Sequence, residues 1–302
     1  MYEKLTDLNV LYDAFEACRR GVGWKCSTQR YEANVLANIC ALWNALESGM
    51  YQQKRFVEFD INERGKPRHI KSPHISDRVL QRALCDVVLN PALKPYLAYD
   101  NAASVKGKGI DFSRRRLQCH LEKYCRRYGA AGYVMTVDFS HFFDSIPHDK
   151  LLEAFGRKLD DERLMKLLRL LVKSFDTGDG RGLGIGSQLS QIAGIFYLTP
   201  VDNYCKIVSG CKYYGRYMDD LYVIHESKAF LKDLLHGIAE QAEKLGLALN
   251  QRKTQIQKIE KGFTFLKVRY RVTETGHIVK RLCKANIVRE RRKLKKLKVK
   301  LS

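Results

Sequence analysis

The chain has 302 residues, a size that suits one large globular unit or two or three packed subdomains. It carries 54 Lys and Arg against 33 Asp and Glu, a formal net charge of +21, and 45% of its residues are hydrophobic. That apolar content excludes wholesale disorder, no apolar run approaches the ~18 residues of a membrane span, and so large a basic surplus points to a polyanionic partner.

The opening MYEKLTDLN has neither the basic nor the apolar region of a signal peptide. Nine cysteines, odd in number and without a C-x-x-C pair, argue against a disulfide framework or a cysteine-held zinc. A cytoplasmic protein with reduced thiols and no membrane partner is expected.

In chain order, Leu8, Leu11, Phe15 and Cys18 recur at helical spacing, as do Tyr31, Val35, Ile39, Leu42 and Leu46, with Gly49 placed to end the second helix. RFVEFDINERGKPRHIKSP alternates like a two-stranded ribbon with its turn near Asn62–Gly65. ISDRVLQRALCDVVLNPAL and the basic FSRRRLQCHLEKYCRRYG read as two further helices. The character changes at Gly132. YVMTVDF is a short strand ending on Asp138, and DDERLMKLLRLLVKSF is a helix with its acidic residues first, as the helix dipole prefers. TGDGRGLGIGS is a glycine-rich loop entering the apolar helix QLSQIAGIFYLTPVDNYCK. KYYGRYMDDLYVIHE reads as two strands about a tight turn, SKAFLKDLLHGIAEQAEKLG as a helix stopped by glycine, and strands follow near LALNQRKTQIQ and FTFLKVRYRV. The order strand, helix, strand–turn–strand, helix, strand predicts an α+β, ferredoxin-like sheet. The ending NIVRERRKLKKLKVKLS has Ile287, Leu294, Leu297 and Leu301 near helical spacing among many basic residues, which predicts a basic amphipathic helix.

In so basic a chain, carboxylates at strand ends need a reason. Asp138 ends one strand, and Asp219 and Asp220 sit at the turn between two others. If those strands are neighbours, three carboxylates converge, and such a cluster is favourable only when a divalent cation neutralises it. Hard oxygen ligands suit Mg²⁺, and two such ions can clamp the attacking and leaving oxygens of an in-line phosphoryl displacement. A D-D pair in a turn is by itself ordinary turn chemistry; the third aspartate, about 80 residues earlier, makes the pattern pointed.

These residues carry a family resemblance. Tyr217-Met218-Asp219-Asp220 resembles motif C of reverse transcriptases, VDFSHFFDSIPH (137–148) motif A, GLGIGSQLSQ (182–191) motif B, LGLALNQRKT (245–254) motif D and GFTFL (262–266) the primer-grip motif. Upstream, RHIKSPHISDRVLQRAL and SVKGKGIDFSRRRLQ resemble the fingers motifs, so the match is ordered and covers roughly residues 5 to 290. The resemblance implies a right-hand polymerase: helical fingers with a β ribbon (1–131, part of which could interleave with the palm), a ferredoxin-like palm (132–270) and a short or incomplete thumb (271–302).

It also implies roles. Asp138 and Asp219 would be the principal metal ligands, with Asp220 and the Phe139 carbonyl beside them, for two Mg²⁺ ions that Mn²⁺ can replace. Lys253 matches a lysine proposed to protonate leaving pyrophosphate, and could equally be a solvated surface lysine. Arg78 and Lys71 would grip the triphosphate, since a guanidinium fork fits phosphate oxygens. Phe143 falls at the steric-gate position that excludes a ribose 2′-hydroxyl, and is otherwise a core aromatic beside Phe142. Ile185, Gly186 and Gln188 would lie on the nucleotide side, and Lys106, Lys108, Arg114, Arg115, Phe265, Leu266, Arg291 and Lys295 along template and primer.

The form Ile185-Gly186-Ser187-Gln188-Leu189-Ser190-Gln191 differs from the Q-G-x-x-x-S-P of many reverse transcriptases. It is similar to those of bacterial diversity-generating retroelements and of related, partly defence-associated lineages. That branch implies an RNA template, a nucleic-acid or protein primer, dNTPs, a cognate non-coding RNA, and a small accessory protein or second subunit. An untemplated or self-primed nucleotidyl transferase and a non-catalytic RNA-binding subunit of the same fold are the alternatives.

Overall fold

The computed structural model describes residues 1–63, 66–176 and 178–301. The chain divides into two compact units, each gathered from separate stretches. The first takes Met1–Leu97, His141–Thr199 and Leu245–Leu247, the second Ala98–Ser140, Pro200–Lys244 and Ala248–Ser302. Compactness therefore does not follow chain order. Residues 98–131, expected among the fingers, pack with the strand that follows Gly132, and residues 141–199, expected in the palm, pack with the N-terminal helices.

The first unit opens with α1 (Leu8–Arg19), α2 (Cys26–Glu32) and α3 (Val35–Glu47). The Asp7 carboxylate starts α1 by accepting from the Asn9 amide at 2.7 Å. Leu11 and Phe15 are buried as their spacing requires, whereas Leu8 in the first turn is exposed. The single helix predicted through Tyr31 and Leu46 is two helices. Asn34 leaves helical dihedrals, and Asn38 donates to the Tyr31 carbonyl at 2.9 Å, so Tyr31 ends in α2 while Ile39, Leu42 and Leu46 line α3. β1 (Val57–Glu63) and β2 (Lys66–Ser72) make the predicted antiparallel ribbon, with Val57 opposite Ser72. Arg64 and Gly65, half of its predicted turn, lie outside the described residues. α4 (Ile75–Ala83) begins at His74, whose ring nitrogen accepts from the Ser76 amide at 3.2 Å, and runs through a π-helical turn into α5 (Asn90–Leu93).

Next in the chain are α6 (Ile110–Tyr128), β3 (Tyr133–Val137), α7 (Phe142–Ser145), α8 (His148–Gly156), α9 (Glu162–Lys173) and α10 (Gln188–Tyr197). α9 is capped by Asp161, which accepts from the Leu164 amide at 3.0 Å, and buries Leu164, Leu167, Leu168, Leu171 and Val172 on one face. Ser187 caps α10 and donates from its hydroxyl to Gln81 Oε1 at 2.8 Å, tying α10 to α4 within the first unit. The apolar helix predicted from Gln188 onward stops at Tyr197; Pro200, which has no amide to donate, lies in the separate short helix α11 (Thr199–Asn203).

The rest of the chain is β4 (Tyr214–Tyr217), β5 (Asp220–His225), α12 (Lys228–Lys244), β6 (Gln255–Lys258), β7 (Phe263–Phe265), β8 (Val268–Val272), β9 (Ile278–Leu282) and α13 (Lys284–Leu301). In the second unit, four antiparallel strands lie in the order β4-β5-β3-β6, the arrangement predicted for a βαββαβ palm. A second sheet, β7-β8-β9, completes its core: Leu117, Leu121 and Tyr124 of α6 meet Val134, Tyr222 and Ile224 of the first sheet and Phe263, Phe265, Tyr270 and Val272 of the second. Leu266 (φ 44°) and Lys267 (φ 68°) are both left-handed, as a two-residue hairpin between β7 and β8 requires. Among the described residues, no helix is long and apolar enough to cross a membrane.

Candidate active site

Strand register brings the aspartates together. β3 and β5 pair with Val137 opposite Leu221, so Asp138, the next residue, leaves β3 beside the start of β5 at Asp220. β4 and β5 pair through Tyr217 and Asp220, which leaves Met218 and Asp219 as the two residues of the turn. Met218 is left-handed (φ 58°), and this lets so short a turn close. The strands leading here are apolar and buried, Val134, Met135 and Val137 on one and Leu221, Val223 and Ile224 on the other, so the carboxylates sit at the end of a dry sheet.

The segment after Leu247 holds Asp138 from the other side. The Asn250 amide donates to the Asp138 carbonyl at 2.8 Å, and the Ser140 amide donates to the Ala248 carbonyl at 2.8 Å. Phe139 bridges Leu249, and the Asp138 amide points at the Thr254 hydroxyl at 3.5 Å. The turn Asn250–Thr254 then delivers Lys253, whose ammonium donates to both carboxylate oxygens of Asp138, at 2.8 and 2.7 Å.

Electrostatics mark the cluster. Burial raises the Asp219 carboxyl above its ordinary value, and the Asp138 charge adds to the rise, against relief from its own backbone amide and from Lys253. Asp220 is pushed up to about 7, first by burial and then by the charges of Asp219 and Asp138. Among the described residues, no three His, Cys, Asp or Glu side chains are gathered as a ready ligand set, and the Asp138 carboxylate engages Lys253. The donors nevertheless suit a hard divalent cation. They are carboxylate oxygens, and at Asp219 and Asp220 burial and neighbouring charge disfavour ionisation, which a cation would relieve.

The other predicted residues divide between the units. Lys71, Arg78, Phe143, Ile185, Gly186 and Gln188 belong to the first. Lys71 donates to the Phe175 carbonyl at 3.4 Å, and Arg78 is half-buried on α4. Phe143 is half-buried, its ring edge-on to Phe142 at 5.2 Å and its carbonyl accepting from Leu183 at 2.8 Å. Ile185 is half-buried, Gly186 has φ 103°, a value that suits glycine, and Gln188 donates to Asp86 at 3.3 Å.

In the second unit, Lys106 and Arg115 are exposed. Lys108 lies over the rings of Tyr99 (4.4 Å) and Phe112 (5.0 Å), and Arg114 donates to the Leu266 carbonyl at 2.8 Å. The Phe265 ring is buried against Tyr222 and so belongs to the core. Arg291 and Lys295 are exposed on α13. Asn250 and Thr254, which clamp the Asp138 main chain, and the fully buried pair Arg216 and Asp202 are absent from the sequence expectations. A lone Arg in an otherwise uncharged strand, and a lone Asp in an apolar helical stretch 14 residues earlier, are the signal that pairs them.

The fold and this site define a polymerase of the reverse transcriptase class. Residues 54–270 match the family described as reverse transcriptase (RNA-dependent DNA polymerase), and the chain belongs to that family, whose members are nucleotidyltransferases. It is similar to Protein YkfC of Escherichia coli (strain K12), 25% identical over 281 residues, covering 78% of this chain and 71% of that protein. A solved telomerase from Candida albicans, in complex with a fragment of telomeric RNA, superposes with a TM-score of 0.60 at 12% identity, over 78% of this chain and 46% of that one. An apo telomerase from Candida tropicalis, truncated of its C-terminal domain, gives 0.57 at 15% identity, over 80% and 60%. The chain thus spans about half the length of the telomerase chains, and with them it shares the fold.

Proposed function

We propose that this protein copies an RNA template into DNA, a primer 3′-hydroxyl attacking the α-phosphorus of a dNTP and pyrophosphate leaving. One observation carries the reading: Asp138, Asp219 and Asp220 stand at the neighbouring ends of paired strands, where burial and nearby charge hold Asp219 and Asp220 above the ordinary carboxylate range. Asp138 and Asp219, with Asp220 and the Phe139 carbonyl, would hold Mg²⁺, as two ions, or Mn²⁺ in its place. When bound, these ions supply charge stabilisation for the attacking and leaving oxygens. Lys253 Nζ, within reach of the same carboxylate, carries the proton for the departing pyrophosphate.

The other predicted residues take the nucleotide, template and primer in this reading. Arg78 and Lys71 bind the triphosphate, Phe143 excludes a 2′-hydroxyl, and Ile185, Gly186 and Gln188 line the base-pairing side. Lys106, Lys108, Arg114, Arg115, Leu266, Arg291, Lys295 and the Phe265 backbone serve template and primer. The Ile185–Gln191 sequence supports a diversity-generating retroelement or phage-defence setting, with a cognate non-coding RNA and a small accessory protein or second subunit, in the cytoplasm. The palm, fingers and thumb divisions at residues 132 and 271 are part of the same reading.

The test is dNTP incorporation on a primed RNA of defined sequence, with product sequencing and an EDTA control. Template-complementary product that disappears with EDTA supports the reading. Product formed equally without template would replace it with untemplated transfer.

A further inference from the structure

Beneath the aspartates, β4 carries a charge that solvent does not reach. Arg216 and Asp202 of α11 are both fully buried, and the guanidinium grips the carboxylate with two nitrogens, Nε to Oδ1 at 2.7 Å and Nη2 to Oδ2 at 2.6 Å. The Tyr214 hydroxyl also donates to Asp202. The Arg216 main chain is fixed as well, its amide donating to the Asp100 carbonyl and its carbonyl accepting from the Ala102 amide, each at 3.1 Å. The remaining terminal nitrogen, Nη1, donates to the Met218 carbonyl at 2.8 Å.

That last bond has a specific target. The Met218 carbonyl belongs to the peptide that leads into Asp219, and Met218 is left-handed at φ 58°, a conformation residues with a Cβ rarely adopt. A strained peptide held by a buried, doubly anchored guanidinium is an over-determined backbone. A buried ion pair is weak evidence for stability, since apolar replacements of similar volume are often as stable. The contact to Met218 gives this pair a task that such replacements would not perform.

We propose that Arg216 is a positioning residue for the metal site. Anchored by Asp202, it locks the Met218–Asp219 peptide and so fixes where the Asp219 carboxylate stands relative to Asp138. This inference rests on the metal-binding reading above. Removing the strut leaves the aspartates in place chemically but lets the turn relax, which weakens cation binding and slows turnover at saturating dNTP more than it raises KM.

The test uses the full chain and Mn²⁺ as the probe, with binding followed by electron paramagnetic resonance and folding by circular dichroism. The paired replacement Asp202→Leu with Arg216→Met leaves no unpaired buried charge, and Arg216→Lys, whose single compact ammonium cannot span the Asp202 carboxylate and the Met218 carbonyl as the planar fork does, is the second variant. Expected is native-like circular dichroism in at least one of the two, with Mn²⁺ affinity lowered about tenfold. Adding Met218→Asn, which tolerates the left-handed conformation better, should return part of the loss. Unchanged affinity in a folded variant overturns the proposal, as does loss that Met218→Asn leaves untouched. Should both variants fail to fold, Met218→Asn in the wild type decides. With the strut intact it should leave Mn²⁺ affinity within about twofold, and a larger change would mean that Arg216 does not set the turn. Asp219→Asn serves as the separate control: if it binds Mn²⁺ as the wild type does, the metal reading fails, not the role of Arg216.

Discussion

The Lys253 ammonium stands 2.8 and 2.7 Å from the two carboxylate oxygens of Asp138, so one lysine compensates the charge of the aspartate that ends β3. Its stem is half exposed, and it reaches Asp138 from a turn whose first residue, Asn250, is already bonded to the Asp138 carbonyl. Lysine and a divalent cation therefore compete for the same two oxygens. Lys253→Met should strengthen Mn²⁺ binding by about two- to fivefold, the scale of a partly exposed ion pair. It should also slow nucleotide addition by at least about a hundredfold if Nζ is the proton donor. Titration of Mn²⁺ with paramagnetic detection, set beside single-turnover rates, checks both; weaker metal binding would show that Lys253 helps to hold the cation.

Asp220 gives a pH dependence with a definite sign. Its carboxyl ionises near 3.8 in the unfolded chain and at about 7 in the fold, so the folded state holds a proton that the unfolded state has released. The stability this proton contributes is complete below 3.8 and is lost as pH rises through about 7. Asp220→Asn, which never ionises, should raise the stability of the metal-free protein above neutral pH by roughly 2 kcal/mol, discounted for partial exposure. Thermal melts in EDTA should show that gain shrinking toward acid pH. A gain that grows in acid would contradict the assignment.

Ile185 stands where an amide is common in reverse transcriptases. In the proposed reading its apolar side chain would offer no hydrogen bond to orient the incoming nucleotide, leaving pairing against the template less constrained. Ile185→Gln should lower misincorporation opposite template adenine several-fold, measured by sequencing products made from one defined RNA. Equal error rates would remove Ile185 from the account of fidelity.

Phe143, half-buried with its ring packed edge-on against Phe142, is predicted to exclude the ribose 2′-hydroxyl. Phe143→Ala should narrow the preference for dNTP over rNTP by about tenfold or more, the scale of a shape-based pocket. Competition between the two nucleotides on one template measures it, and an unchanged ratio would return the ring to a purely packing role.

Gly215 in β4 has no room for a side chain. A Cβ there would fall 2.6 Å from the ring of Tyr222, itself fully buried and within 3.0 Å of the His120 ring nitrogen through its hydroxyl. Gly215→Ala should cost about 1–3 kcal/mol by overpacking, read as a lower midpoint in urea. A neutral effect would mean that the sheet shifts to accommodate it.

How much of this was legible beforehand depends on whether a residue's role is local. The three aspartates are readable because each stands at the end of an apolar strand or in the turn between two, and strand alternation reports the sheet. The βαββαβ order is readable for the same reason. The break between α2 and α3 is not, since it turns on Asn38 reaching the Tyr31 carbonyl, a side-chain choice that helical spacing does not register. The Lys253–Asp138 pair, the clamp by Asn250 and the Arg216–Asp202 strut join residues 14 to 115 positions apart, so they follow only once the sheet is built. Phe265 shows the converse: its motif is legible, but its ring proves to be core because β7 packs over Tyr222.

The proposed function requires Asp138 and Asp219 together to hold the metal that drives nucleotide addition. Its most direct test is dNTP incorporation on a primed RNA with Mg²⁺, comparing wild type with Asp219→Asn, each confirmed folded by circular dichroism. The account predicts at least about a hundredfold loss of incorporation. Incorporation equal to wild type would contradict it.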